Sequence, residues 1–247
     1  MAANGLILYE GPSMLDGAPI VVIATGIKTA STNGKTGAMI QTYILRSDMP
    51  PIEAVKSGED ASICGGCTHR GDGEGKQRSC YVTLMHGPRG VYAAYKRGSY
   101  PKSTSRGAQG VFADRMVRLG TYGDPAAAPA WLWNAVLHKT AGHTGYTHQW
   151  GAIDAATWAP LVMASADSEA EMLAAHALGY RTFRVTPIGV GPIKGKEIVC
   201  PASHEAGQLV ECFDCKACMG TSAKARVSIQ IMAHGTGKKY VNESRAV

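Results

Sequence analysis

A chain of 247 residues is long enough for one large α/β domain or two small ones, with a full core. Apolar residues make up 45% and charged residues 18% of it, globular proportions that exclude bulk disorder. The formal net charge of +6 is scattered, with no long basic run, and reads first as a solvated surface; it could also help hold an acidic ligand or nucleic acid.

The N-terminus, Met1-Ala2-Ala3-Asn4-Gly5, has no basic n-region, and the best apolar run, Ile20–Ala24, is too short to span a bilayer. No membrane association is expected, and a reducing cytosol is the expected location. Ile20–Ala24 is predicted as a short buried strand and Met39–Leu45 as a second. A cysteine-bearing loop follows. Gly87–Tyr100 is predicted as a helix ending before Pro101, and Met116–Thr121 as a strand running into Tyr122-Gly123-Asp124-Pro125. A helix over Pro129–Lys139 would place Leu132, Ala135 and Val136 on one face. Strands are predicted at Thr144–His148 and Leu161–Ser165. Ser168 and Glu171 then form a capping box for a helix closed by Gly179. Arg181–Val185, Ile198–Cys200 and Val227–Ala233 complete the predicted strands.

This alternation predicts an α/β protein with right-handed crossovers and a mainly parallel sheet. The number of units, about six or seven, suggests a partial or full (β/α) barrel of the TIM type. Chemistry in such barrels sits at the C-terminal strand ends. The first cysteine loop, Gly123-Asp124, the His148 region, Asp167 and Cys200 all follow predicted strands and are expected to gather at one rim. The expected organisation is a barrel over residues 1–199, with a cluster loop at about 64–80, and a cysteine-bearing C-terminal extension over 200–247.

Seven cysteines fall in two groups, Cys64, Cys67 and Cys80, then Cys200, Cys212, Cys215 and Cys218. Cytosolic cysteines are seldom disulfide-bonded. Two-residue gaps let neighbouring thiolates turn toward one centre, so both groups read as metal ligands. Four thiolates suit a [4Fe–4S] cluster or a tetrahedral zinc. Consecutive two-residue gaps favour the cluster, and one or two clusters are compatible with the count. Three cysteines in the first group leave one iron open to a ligand, or His69 or His86 completes a zinc site. The linker Gly71-Asp72-Gly73-Glu74-Gly75 is polar and flexible, as a surface excursion requires.

Other motifs are weaker. Gly34-Lys35-Thr36 lacks the earlier glycine of a phosphate loop, since Thr29 stands there. Gly235-Thr236-Gly237-Lys238 reads as a turn. His148, in Tyr146-Thr147-His148-Gln149-Trp150, is a candidate acid or base or a hydrogen-bonded structural histidine. His234 has no evident partner, His176 reads as helix packing, and Trp131 with Trp133 reads as core or interface.

A three-cysteine loop after an early strand, followed by a strand ending in Gly123-Asp124-Pro125, resembles the radical S-adenosylmethionine enzymes. The resemblance implies a partial (β/α) barrel, a three-cysteine [4Fe–4S] cluster with one open iron, and a turn after the next strand that binds the amino group of S-adenosylmethionine. Thr121, Gly123 and Asp124 would be the cofactor-binding residues, and Asp124 and His148 the catalytic candidates. Cys200, Cys212, Cys215 and Cys218 resemble an auxiliary-cluster extension. The spacing differs from that superfamily, with two and then twelve residues between the cysteines, and Asp124 stands in place of a glutamate. Cys64, Cys67, Cys80-Tyr81 and Cys200-Pro201 also resemble an uncharacterised phage-encoded family over residues 38–235. The expected protein is therefore a phage-encoded iron–sulfur protein, an enzyme acting on a small molecule. The alternatives are a zinc- or cluster-stapled binder of nucleic acid or host protein, and an electron carrier.

Overall fold

The computed structural model describes residues 3–74, 76–222, 225 and 227–241; Gly75 of the glycine-rich linker lies outside them. Ten strands form two five-stranded sheets. The first sheet has the order β1 (Gly5–Pro12), β2 (Pro19–Thr25), β3 (Ile40–Arg46), β4 (Met116–Tyr122), β5 (Gly142–Thr144). The second has the order β6 (Tyr146–Thr147), β7 (Met163–Ala166), β8 (Thr182–Thr186), β10 (Ser228–Met232), β9 (Glu197–Val199). The helices are α1 (Pro51–Ser57), α2 (Ala61–Cys64), α3 (Gly87–Lys96), α4 (Ser105–Phe112), α5 (Ala130–Leu137), α6 (Ala155–Trp158), α7 (Glu169–Ala177) and α8 (Cys212–Cys215).

From β3 onward every strand pair is parallel. Helices or longer crossovers connect these strands, as parallel pairing requires. The exception at the start is an antiparallel meander of β1, β2 and β3. Its first turn is closed by Gly17 at φ 81 and by the Asp16 carboxylate, which accepts from Ala18 N at 3.0 Å. Ile20, Val21, Val22, Ile23 and Ala24 are all fully buried, so β2 has the near-continuous apolar run of a strand covered on both faces.

The expected strand at Thr144–His148 is divided. Gly145 separates β5 from β6, and a Cβ there would lie 3.0 Å from Val162 Cγ1 and 3.1 Å from Leu119 Cβ. The sheets meet at this break, where Gly145 O accepts from Met163 N at 3.0 Å. A closed barrel is not formed: β1 and β9 each have one strand neighbour among the described residues. Nor is segment 200–247 a simple appendage, because its strand β10 pairs with both β8 and β9.

The period-two alternation of strands divides the interior. On β3, Ile40 and Ile44 enter the apolar core while Gln41 and Tyr43 face a cavity. On β4, Val117 and Leu119 enter the core while Arg118, Gly120 and Thr121 line the cavity, and Tyr122 is buried where the core borders it. Phe183 and Val185 of β8 and Ile229 and Ile231 of β10 also line it. No helix of the described residues is long and apolar enough to cross a membrane.

Candidate metal centre

The cavity, about 520 Å3 in volume, is lined by all seven cysteines, and all seven are free. They form two groups, as the spacing predicts. Cys64, Cys67 and Cys80 lie with the turns that follow β4 and β6. Cys200, Cys212 and Cys218 pack against Met39, Met116 and Met163, which sit at or just before the starts of β3, β4 and β7. Cys200 therefore belongs with its C-terminal partners and does not complete the first group.

At the first group, Cys64 ends α2 and Gly65 follows at φ 55. A Cβ on Gly65 would push against the movable amide of Gln149, at 2.4 Å from Oε1, and the positive φ itself favours glycine there. Gln149 clamps the loop by accepting from Gly66 N at 3.2 Å and donating to the Cys64 carbonyl at 3.1 Å. Asp124 braces the same loop, its backbone N donating to Ile63 O at 2.6 Å. The Asp124 carboxylate accepts from Ala126 N at 2.9 Å, His148 N at 2.8 Å and Gln149 Nε2 at 3.3 Å. Burial raises the Asp124 pKa, and hydrogen bonds from Ala126 N, the Thr147 side chain and His148 N, with the His148 ring, partly offset it. With the Thr147 side chain the protein supplies four donors to about four carboxylate acceptor positions. Asp124 is a positioning residue for the cysteine loop, whatever else it contacts.

Gly123 (φ 84) has Ile44 Cβ 2.7 Å from its would-be Cβ, so the turn after β4 sits directly on β3. Thr121 lines the cavity and donates to Gln41 Oε1 at 2.7 Å. His148 lines the cavity with its Nε2 3.9 Å from Cys67 Sγ. Burial opposes its protonation, but Cys67 and Asp167 outweigh that and raise its pKa well above the ordinary histidine value. The Cys64 thiol is pushed well up by burial, then by Cys67, Asp60, Cys80 and Asp124. His69 and His86 both line the cavity. The His69 backbone carbonyl also accepts from Cys80 N at 3.0 Å.

In the second group, Cys200 N donates to Gln230 O at 2.8 Å and Cys212 N to Lys35 O at 2.8 Å. Lys35, from the rejected phosphate-loop motif, thus packs beside the C-terminal cysteines. Lys216, at φ 55, turns the chain between Cys215 and Cys218. The Cys218 thiol is pushed up to about 12, by burial and by Cys200, Cys212 and Cys215, with a Tyr146 hydrogen bond opposing. Burial thus keeps the Cys200, Cys212 and Cys218 thiols protonated in the absence of a cation, and a bound metal would favour their thiolates.

The cavity is also lined by Arg118, 8% exposed. Its guanidinium donates to the Tyr81 hydroxyl and lies over the Tyr146 ring at 5.8 Å. Burial works against its charge; Tyr81, Tyr146, Cys212 and Cys218 hold its pKa above the ordinary arginine value. Among the described residues no carboxylate is at ion-pair distance from it.

Arg118 is part of no motif, and Gln149 and Tyr81 figure in the sequence only as members of Tyr146–Trp150 and Cys80-Tyr81, with no role of their own. Their only sequence signal is position: Gln149 beside His148, Tyr81 beside Cys80, and Arg118 as the single charge inside an apolar strand. His234 does have a neighbour, the Tyr81 ring at 5.0 Å. His176 meets Ser228 Oγ at 2.9 Å, and Trp133 is buried while Trp131 is 56% exposed. Comparison with protein-family models, curated proteins and solved structures found no match to this chain.

Proposed function

We propose that this chain is an iron–sulfur protein that holds a [4Fe–4S] cluster at each cysteine group, in an open partial (β/α) barrel of the radical S-adenosylmethionine kind. The observation that carries the reading is the convergence of seven free cysteines, from distant segments, on one cavity. The choice of a cluster over zinc rests on the consecutive two-residue gaps of the second cysteine group.

Cys64, Cys67 and Cys80 would hold the first cluster, and the missing fourth thiolate would leave one iron facing the cavity. Cys200, Cys212, Cys215 and Cys218 would hold the second with a complete ligand set. A cluster with an open iron supplies electron transfer to a ligand bound at that iron. The cavity falls within the range of small-molecule sites, about 300–1,000 Å3. Arg118, as a buried cation without a carboxylate partner among the described residues, would orient an anionic group of the small molecule. Thr121 and Gly123 lie at the same wall, and His148 is the group placed to hold or move a proton. The ligand proposed from the resemblance is S-adenosylmethionine, with Asp124 shaping its site mainly by bracing the cysteine loop.

The test is anaerobic purification followed by iron, sulfide and zinc analysis and EPR of the dithionite-reduced protein. About eight irons and eight sulfides per chain are expected, falling to about four of each in Cys215→Ala. Stoichiometric zinc with negligible iron would sink the reading. Addition of S-adenosylmethionine should alter the EPR signal of the first cluster; an unchanged spectrum at millimolar ligand removes that cofactor and leaves the clusters.

A further inference from the structure

His69, His148 and Asp167 come from three separate segments. His69 is in the short turn after Cys67, His148 follows β6 and Asp167 follows β7. Their ligand-type atoms lie within 4.8 Å of one another, the one such group of three among the described residues. His69 Nε2 is 3.2 Å from Asp167 Oδ1, and His148 Nε2 is 3.6 Å from Asp167 Oδ2. The two rings meet edge to face with centroids 5.6 Å apart.

Two features set this group apart from an ordinary hydrogen-bonded cluster. His69 Nε2 and Asp167 Oδ1 are buried, and despite their closeness neither has an aligned hydrogen bond among the described residues. Two buried polar atoms side by side without an aligned bond are costly, and a third atom receiving both lone pairs removes that cost. The other atoms are fixed from behind. His69 Nδ1 is 2.8 Å from Ser79 Oγ, which leaves Nε2 as the nitrogen directed inward. Thr68 Oγ1 donates to Asp167 Oδ2 at 2.5 Å, and Asp167 N donates to Glu171 Oε2 at 2.7 Å. Outer partners of this kind orient the ligands of metal sites.

We propose that His69 Nε2, His148 Nε2 and a carboxylate oxygen of Asp167 bind one divalent transition-metal ion beside the cysteine loop. Two imidazoles and a carboxylate suit iron(II), zinc or manganese(II), and three protein ligands leave coordination positions open to water or a substrate oxygen. Those positions face the cavity, because His69 and His148 both line it. The site goes beyond the iron–sulfur reading and does not depend on it, since none of its ligands is a thiolate.

Manganese(II) is the probe, because it favours oxygen and nitrogen donors over sulfur. Anaerobically prepared protein is equilibrated with manganese(II). Bound manganese plus zinc per chain is measured by metal analysis, and free manganese by its EPR signal. About one ion per chain is expected in the wild type, and none in His69→Ala or Asp167→Asn. Ser79→Ala keeps all three ligands and should weaken binding roughly ten- to a hundredfold, so the test survives if a ligand variant misfolds. Binding unchanged in both His69→Ala and Ser79→Ala would overturn the proposal, as would a wild type that binds neither metal. Sulfide is measured in the same samples. Manganese binding without sulfide leaves this site standing and removes the clusters; sulfide present with variant-insensitive metal binding does the reverse.

Discussion

At the residue scale, the side chains around the first cysteine group act mostly by holding backbone. Gln149 satisfies Gly66 N and the Cys64 carbonyl, and Asp124 holds Gln149 and His148 in turn. Gln149→Ala is expected to destabilise the protein by about 1–3 kcal/mol, because it leaves polar groups unpaired, and to speed iron loss in air. Asp124→Ala removes the acceptor of Ala126 N, His148 N, Gln149 Nε2 and the Thr147 side chain and should cost on the order of 3 kcal/mol. It should therefore lower iron content together with thermal stability. Iron analysis and melting curves on the two variants check this; an Asp124→Ala protein with wild-type melting and full iron would show that the carboxylate does not brace the loop.

At the scale of elements, the cysteine loop is placed by the turn that ends β4. Gly123 is squeezed between Ile44 and Ile63 O, with a would-be Cβ 2.7 Å from Ile44 Cβ and 3.3 Å from that carbonyl. Gly123→Ala combines overpacking, about 1–3 kcal/mol, with left-handed backbone strain of about 1–2 kcal/mol. Gly17 has a similar φ of 81 and nothing within 4 Å of its would-be Cβ. Gly17→Ala should thus cost only the strain, about 1–2 kcal/mol. Denaturant unfolding of the pair separates packing from strain, and equal losses would contradict the tight seat given to the β4 turn. The capping box at the start of α7 is half formed: Ser168 Oγ accepts from Glu171 N at 3.1 Å, but Glu171 reaches the N–H of Asp167 rather than that of Ser168.

At the scale of the whole molecule, the second sheet is tied by one buried ion pair. Arg184 of β8 donates to Glu197 of β9 across β10, at 2.8 and 2.6 Å. Their side chains are 6% and 0% exposed. Glu197→Ala leaves the guanidinium buried and unpaired, and should cost about 3–5 kcal/mol. The junction of the sheets should respond to pH. His143 of β5 contacts Leu161 O at 2.8 Å, and burial holds its pKa below the ordinary value of 6.5. The unfolded chain then binds the proton more readily than the fold does. The contribution of His143 is complete above the unfolded pKa and is lost as pH falls through the folded one. Unfolding free energies of wild type and His143→Gln should therefore diverge between neutral and mildly acidic pH, with the wild type losing more. Parallel profiles would show that His143 titrates alike in both states.

Much of this architecture was legible locally. The apolar runs at Ile20–Ala24 and Met116–Thr121 and the Ser168 cap signal each depend on neighbours in sequence. Those elements are found within a few residues of expectation, because period and capping are short-range physics. The two cysteine groups were legible for the same reason, since two-residue gaps already turn thiols to one side. β1, α1 and α4 were not anticipated, and the strand break at Gly145 comes from the approach of Val162 and Leu119, contacts that spacing along the chain does not encode. Sequence by itself determined an α/β chain with two sets of candidate metal ligands. Only the tertiary structure decided that these sets line one cavity together with Arg118, and that His69, His148 and Asp167 meet. Such meetings depend on parallel strand order, which joins residues separated by long crossovers and leaves no periodic trace in the sequence.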